Sequence, residues 1–432
     1  MMAHQDQLSE EICMEILERL SVKSLIRFRT VCKSWRSLIS TPDFIDRHFN
    51  RSATNSDKLG IVLVHASPEN LCFHGPQCSI YLKTINLSPK SLGETMNTFD
   101  QQVVTKCQGA WPLGSCRGLV LLGVDCIDFK LLLSNPSTRE SKEIPDPPYR
   151  RLEYDYIFAY ALGYDFNIKS HKIVLIYGLG EFEYCIWVYT LKTNSWTCVD
   201  LDTDHKYANY DILPVTLVNG APHWMIQHGD VKDGDVSNFK VGGSIQYAIE
   251  YFDFAVNNFV MVPQPDNYDK RKFCITPQLY DTEESLYIVY RRGEDDCTLE
   301  IWVMKRYGVK ESWLKWMSFE NEYVPFPLCF AKNNINVSLF LARGRGKDGC
   351  AIYIGKEKEI ELGSLGFRVS FDGRTGQFEF DRCLKKRAFA FDESLICLEN
   401  DEGGEGHIRR KLNSWELEPG EKSISYFVNF LV

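Results

Sequence analysis

The spacing of apolar residues changes once along this chain, and that change limits the fold more than any other feature. Up to Ile39 the spacing is helical. Ser9 can cap a first helix whose opening turn carries Glu10 and Glu11, acids suited to the positive end of the helix dipole. Ile12, Ile16, Leu17 and Leu20 recur at helical intervals and make one apolar face. Ser21 repeats the cap, and Leu25, Ile26 and Phe28 line a second short helix. A third runs through Val31, Cys32, Trp35, Leu38 and Ile39. It is expected to stop near Thr41–Pro42, because proline disfavours the helical conformation in the residue before it.

After a short polar linker at 51–57 the helical spacing disappears. Runs of Val, Ile, Leu and Tyr, such as 60–64, 118–122, 172–177 and 286–290, alternate with Gly, Asn, Asp and Pro, which predicts short strands and turns. A strand–turn–strand unit recurs at Leu82–Asn86, Leu132–Glu140, Val188–Trp196, Tyr251–Phe259, Ile301–Trp313 and Val369–Phe378. The turn starts lie about 50 to 70 residues apart, near the roughly 50-residue blade of kelch-type propellers. At that length the rest of the chain makes about six to eight blades, whose radial repetition protects the sheet edges. Two stacked sandwich domains would explain the strands but not the recurring unit. The expected fold is therefore mainly β: a small three-helix α module over 1–52, then a β-propeller-like domain over 57–432.

Composition narrows the function classes. The chain has 432 residues, 44% apolar and 25% charged, ordinary values for a chain that buries a core. A formal net charge of -9 argues against a protein built around nucleic-acid backbones. Met1–Glu11 is polar, and no apolar run approaches the roughly 18 to 20 residues that cross a bilayer, so a soluble, cytoplasmic chain without membrane contact is expected. The 15 cysteines are scattered, as expected for small core residues in a reducing compartment. Lys385–Arg387 and Arg409–Lys411 are candidate nuclear import signals, though strand ends often carry such runs.

Three helices within about 40 residues sit where a lone core is marginal. Yet these helices carry apolar residues on more faces than they can shield. Either the surplus packs on the following domain, or it docks another protein. Lys23, Arg27, Arg29, Lys33 and Arg36 follow one another with no acid between them, as a solvated face or one that steers an acidic partner. A DNA-reading helix-turn-helix is a third option, opposed by the acidic chain.

The order Leu8-Ser-Glu-Glu-Ile12, Ile16-Leu17-x-x-Leu20, Val22-Lys-Ser-Leu25, Arg27-Phe28-Arg29, Val31-Cys32-Lys33-Ser-Trp35-Arg-x-Leu38-Ile39, then Phe44, resembles an F-box along its whole length. The resemblance implies docking on a Skp-family adaptor, and through it on a cullin, by Leu8, Ile12, Ile16, Leu17, Leu20, Leu25, Phe28, Val31, Cys32 and Trp35. Serines 9 and 21 stand where that family usually has proline at both helix starts; either residue starts a helix. Further on, the runs 116–122, 135–145, 162–165, 188–196, 218–224 and 300–313 resemble the F-box-associated domain of plant F-box proteins, including S-locus-type members. In that family the domain is propeller-like and binds the substrate. The implied function is substrate receptor of a Skp–cullin–F-box ubiquitin ligase, without bond chemistry or cofactor of its own. Competing readings are an adaptor-binding scaffold outside the ligase and a propeller enzyme with a helical leader.

Catalytic or metal-binding motifs are weak. Cys72, His74, Cys78 and His65 match no common zinc spacing. His223 and His228 lie an odd number of residues apart on one strand and face opposite sides. Residues 343–349 are glycine-rich but lack the order of a phosphate-binding loop, which favours a hairpin turn. Trp187, Trp196, Trp224, Trp302 and Trp313 are expected to pack between blades.

Overall fold

The computed structural model describes residues 10–54, 59–72, 75–87, 97–107, 109–125, 129–148, 155–179, 183–199, 215–228, 246–265, 277–282, 285–292, 298–320, 330–333, 337–343, 350–354, 358–362, 388–391 and 393–398. Four helices open the described chain: α1 (Glu10–Leu17), α2 (Val22–Phe28), α3 (Lys33–Ile39) and α4 (Pro42–Thr54). The fourth lies beyond the stop expected at Thr41–Pro42. Proline restricts the residue before it, but at the first position of a helix its missing N–H is one that no turn would use. Thr41 supplies the cap, its Oγ1 accepting from the Phe44 amide at 3.2 Å. Ser21 Oγ and Cys32 Sγ cap α2 and α3 in the same way, accepting from the Ser24 and Trp35 amides at 3.4 Å each.

The strands among the described residues form six four-stranded antiparallel sheets, the blades of a β-propeller. Blade 1 holds β1 (Leu59–Cys72), β2 (Gly75–Leu87) and β3 (Asn97–Cys107). Blade 2 is β4 (Gly109–Cys116), β5 (Leu119–Asp125), β6 (Phe129–Asn135) and β7 (Glu140–Ile144). Blade 3 is β8 (Asp155–Asp165), β9 (Ser170–Leu179), β10 (Glu183–Thr190) and β11 (Ser195–Val199). Blade 4 is β12 (Val215–Val218), β13 (Ala221–His228), β14 (Gln246–Asp253) and β15 (Asn258–Val262). Blade 5 is β16 (Gln278–Thr282), β17 (Ser285–Arg292), β18 (Thr298–Met304) and β19 (Trp313–Glu320). Blade 6 is β20 (Phe330–Asn333), β21 (Val337–Arg343), β22 (Cys350–Ile354) and β23 (Lys358–Leu362). The last strand, β24 (Ala388–Phe391), returns to blade 1 and pairs with β1, so blade 1 reads β24-β1-β2-β3 from the inside out.

The innermost strands β4, β8, β12, β16, β20 and β24 converge on the axis. Gly114 on β4 sits against both Leu162 of β8 and Val215 of β12. The recurring unit of the sequence is the outer hairpin of successive blades, β6–β7, β10–β11, β14–β15 and β18–β19. Leu82–Asn86 instead lies within β2, and Val369–Phe378 lies outside the described residues.

In blades 2 to 6, antiparallel order puts the inner turns (first to second strand) and the outer turns (third to fourth) on one face. Their chemistry is local. Arg117-Gly118 and Asn219-Gly220 have φ of 45°, 77°, 51° and 76°, the double left-handed pattern of a two-residue hairpin whose twist matches its strands. Four-residue turns start on Asn135, Asp165 or Asp253, whose Oδ1 accepts from the amide two residues on at 2.8–2.9 Å. The four longest connections, 200–214, 229–245, 263–277 and 363–387, all start from the opposite face.

The core is built blade against blade. Leu121 and Leu133 of blade 2 pack with Leu162, Leu175 and Tyr189 of blade 3; Trp224 of blade 4 packs with Val174 and Ile176 of blade 3. Trp302 and Trp313 share a cluster with Val218 and Ile249 of blade 4. The indole N–H groups of Trp196 and Trp313 donate to the carbonyls of Pro145 and Pro263, just past the outer strand of the preceding blade, at 2.6 and 2.8 Å. These bonds satisfy ring nitrogens that packing would otherwise strip of water. No helix among the described residues is long and apolar enough to cross a membrane.

Candidate docking site

The helical module has two apolar faces with different fates. One is closed. Leu17, Val22, Leu25, Ile26, Ile39 and Phe44 form a buried cluster, with Met14, Leu20, Phe28, Trp35, Leu38 and Ile45 packed around it. The seventh member of that core is Leu395, from the segment after β24. The other face is open. Ile12 and Ile16, one turn apart on α1, are 49% and 48% exposed, and Val31 in the α2–α3 turn is 61% exposed. The Val31 turn is tight: its amide donates to Phe28 O at 3.1 Å, and Thr30 Oγ1 donates to Arg27 O at 2.6 Å. Beside it the Phe28 and Trp35 rings meet at 5.3 Å.

The residues expected to bind an adaptor are thus divided. Ile12, Ile16, Val31 and Cys32 are exposed; Leu20, Phe28 and Trp35 are half-buried; Leu17 and Leu25 are fully buried within the module; Leu8 lies outside the described residues. The apolar surplus is therefore divided: one face packs with Leu395 of the segment after β24, and the other stays exposed.

The closed face is joined to the propeller at the inner-turn face. Arg117, held at positive φ in the β4–β5 turn, extends its guanidinium to Asp46 of α4 at 3.0 Å. It lies over the rings of Phe49 and Tyr164, 4.3 and 4.5 Å from their centroids. Lys169 of the β8–β9 turn reaches the other Asp46 oxygen at 3.8 Å. On the far side of α4, His48 Nε2 donates to Leu20 O at 2.8 Å and the ring stacks on Phe44. Sequence reasoning missed this joint because Arg117 and Asp46 acquire their roles only through tertiary proximity; the chain spacing of these residues carries no signal.

The segment Glu393–Leu398 lies between the two parts. Glu393 Oε2 accepts from the Val22 amide at 3.1 Å. Asn135 Nδ2 donates to Ser394 O and Ile396 O at 3.0 and 2.9 Å, and the Ser394 amide donates to Ser137 Oγ at 3.1 Å. The Leu398 amide donates to Glu140 Oε2 at 2.7 Å. The run 135–140 therefore does more than make a turn: its buried polar side chains grip a backbone segment that arrives from the end of the propeller.

Titratable groups elsewhere are built into packing. His223 Nδ1 donates to Ala221 O at 2.8 Å, so Nε2 accepts from the Tyr307 hydroxyl of the next blade at 2.5 Å. Burial lowers its pKa to about 4, against a smaller upward pull from the Ala221 carbonyl. His171 donates to Cys116 O at 3.1 Å; burial lowers its pKa to about 3, with the Arg117 charge adding to the effect. Glu250 stands directly across from Trp224 in the sheet, and burial raises its carboxyl to about 7. Its Oε2 and the Trp224 Nε1 have no hydrogen-bond partner among the described residues. The side chains of His65, Cys72, His74, Cys78 and His228 lie outside the described residues, as do 385–387 and 409–411. Arg343 pairs with Cys350, so the glycine-rich run connects the hairpin strands β21 and β22.

Comparison with known proteins agrees with this layout. The profile of the F-box domain matches residues 6–47, and that of the F-box associated beta propeller domain matches residues 77–373. An F-box/kelch-repeat protein of Arabidopsis thaliana is 27% identical over 317 residues, covering 71% of this chain and 78% of the relative. The F-box protein CPR1 of the same plant is 26% identical over 328 residues, covering 71% of each chain, and a further Arabidopsis F-box protein is 24% identical and covers 87% of each. With helices, exposed α1 face and six blades in this order, the chain belongs to the F-box proteins that carry an F-box associated β-propeller domain.

Proposed function

We propose that this chain is the substrate-recognition subunit of a Skp–cullin–F-box ubiquitin ligase. The observation that carries the reading is the unequal treatment of the helical module: one apolar face is covered by the chain itself, while Ile12, Ile16 and Val31 stay exposed. Exposed side chains of that size, presented on short capped helices, fit a helix-rich interface. In this reading the module 1–52 docks a Skp-family adaptor through Ile12, Ile16, Val31 and Cys32, with Leu8, Leu20, Phe28 and Trp35 at its edges. Leu17 and Leu25 support that surface from beneath. The cullin is reached through the adaptor.

The propeller over 57–432 holds the target protein. The face away from the helices is the side for it, since the four longest connections start there and the inner-turn face is partly occupied by α4 and the 393–398 segment. The chain performs no bond chemistry; its contribution is effective concentration of a target lysine near the transferring enzyme.

The test is co-purification of the full chain, wild type against Ile12→Asp with Val31→Asp, with a Skp-family adaptor and its cullin. Wild type should retain both, and the double variant should lose at least tenfold in adaptor affinity while keeping its thermal transition. A wild-type chain that retains no adaptor sinks the proposal; one that holds adaptor but excludes cullin replaces it with a scaffold outside the ligase.

A further inference from the structure

We propose that adaptor docking is conditional on a closed propeller, because the core beneath the docking surface is completed by a segment that only ring closure delivers. This rests on the docking reading above and names how that site is regulated.

The segment Glu393–Leu398 follows β24, the strand that closes the ring on β1. Its side chains face two ways. Leu395, 0% exposed, fills the helical core between Leu17, Leu25, Ile39 and Phe44. Ile396 and Leu398 pack into the blade 2–blade 3 core with Leu133 and Leu162. The backbone is held from the propeller side: Asn135 gives its amide group to two carbonyls of the segment, while its Oδ1 is used by the Ser137 amide of its own turn. The segment itself closes Asn135 off from water, so these bonds form in a buried site, where each is stronger than at the surface. Docking of the segment on blade 2 is thereby favoured once β24 is in place.

Helices of seven or eight residues have little stability of their own and depend on tertiary packing. Removing a leucine from the centre of so small a core leaves a void that short helices must collapse into or lose order around. Ile12 and Ile16 are on α1, whose Leu17 shares its core cluster with Leu395; Val31 hangs on the α2–α3 turn, whose flanking residues Ile26 and Ile39 belong to the same cluster. The exposed surface therefore keeps its geometry only while Leu395 is seated. An unclosed or C-terminally damaged chain would carry a complete F-box sequence and still be a poor adaptor ligand. Such coupling keeps a receptor that cannot hold a target from occupying the ligase.

The test uses the full-length chain with Leu395→Ala, which empties the helical core, and Asn135→Ala, which releases the segment without touching the helices. Amide hydrogen exchange is followed in the chain alone, and affinity for a recombinant Skp-family adaptor is measured separately. Both variants should speed exchange at Leu25, Ile26 and Ile39 at least tenfold, leave Leu121 and Val174 of the blades protected, and weaken adaptor binding at least tenfold. Unchanged helix exchange in Leu395→Ala, or adaptor affinity within twofold of wild type in both variants, overturns the inference. A wild-type chain that binds no adaptor refutes the docking reading instead, and the two failures are distinct because the exchange measurement needs no adaptor.

Discussion

Acidification from pH 6.5 towards 4 should unfold the propeller chiefly through two imidazoles, His171 and His223. Both are buried, and burial lowers both folded-state pKa values, to about 3 and about 4, from the ordinary 6.5 of an exposed imidazole. Between those values the unfolded chain binds the extra protons, so the contribution is fully present above pH 6.5 and is lost as the pH falls. Each imidazole gives a slope of up to about 1.4 kcal/mol per pH unit, and the two together remove about 6 kcal/mol by pH 4, of which the opposing titration of Glu250 returns about 2 kcal/mol. That is comparable with the roughly 5–15 kcal/mol total of an ordinary domain. Asp165, lowered from 3.8 by its bonds to Lys172 and local amides despite burial, loses its contribution only below that window. The assay is urea unfolding followed by tryptophan fluorescence between about pH 4.5 and 7, with the free energy extrapolated linearly to water. Glu250 titrates in the opposite sense across this window, so wild type should show a net slope of about 1.4 kcal/mol per pH unit, and His223→Gln, whose amide can reach the same partners, a slope near zero. A variant slope equal to wild type, or a wild-type stability flat across the window, would refute the reasoning.

Glu250→Gln should act in the opposite direction: a carboxyl raised to about 7 keeps its contribution below its unfolded pKa of 4.5 and loses it as the pH rises through 7. The substitution should stabilise by up to about 3 kcal/mol at pH 8 and change little at pH 4.5, read from urea midpoints. Arg117→Ala removes the Asp46 contact and the stacking on Phe49 and Tyr164, and should cost about 2 kcal/mol, with faster amide exchange in α4. Gly163→Ala would place a methyl group against the Phe254 ring and 2.6 Å from the Gly220 carbonyl oxygen, where the Tyr164 amide bond ties blade 3 to blade 4. It should cost about 1–3 kcal/mol, visible as a lower melting temperature.

Legibility in the sequence followed the range of the interactions. The helices were readable because capping acts over three residues: Ser21 is the α2 cap that its position suggested. Pro42 misled because the same residue that stops one helix can start the next, and only the Thr41 cap decides which. The outer hairpins were readable because their turns are built from neighbours, as in Asp253 with Ala255. Of the inner turns, 219–220 is legible as an Asn-Gly pair suited to positive φ, whereas the contacts that 117–118 makes with the helices have no spacing that would reveal them. Of the candidate docking residues, Ile16 and Leu17 are adjacent and equally apolar, yet one is exposed and the other buried. Helical phase alone assigns them to different faces; which face is covered depends on Leu395, nearly the whole chain away.

Ring closure also has a temporal side. The pairs Gly60–Phe391 and Leu63–Ala388 join residues roughly 330 positions apart, a contact of very high order for one sheet. A ribosome adding about 5–20 residues per second needs roughly 15 to 65 s to supply the partner of β1. Throughout that interval the amides and carbonyls on the inner edge of β1 have no strand to pair with, and an unpaired edge templates association with other chains. The nascent propeller thus faces its greatest aggregation hazard at its first-made blade, and holdase chaperones that cover extended edges should engage it there until Ala388–Phe391 arrives.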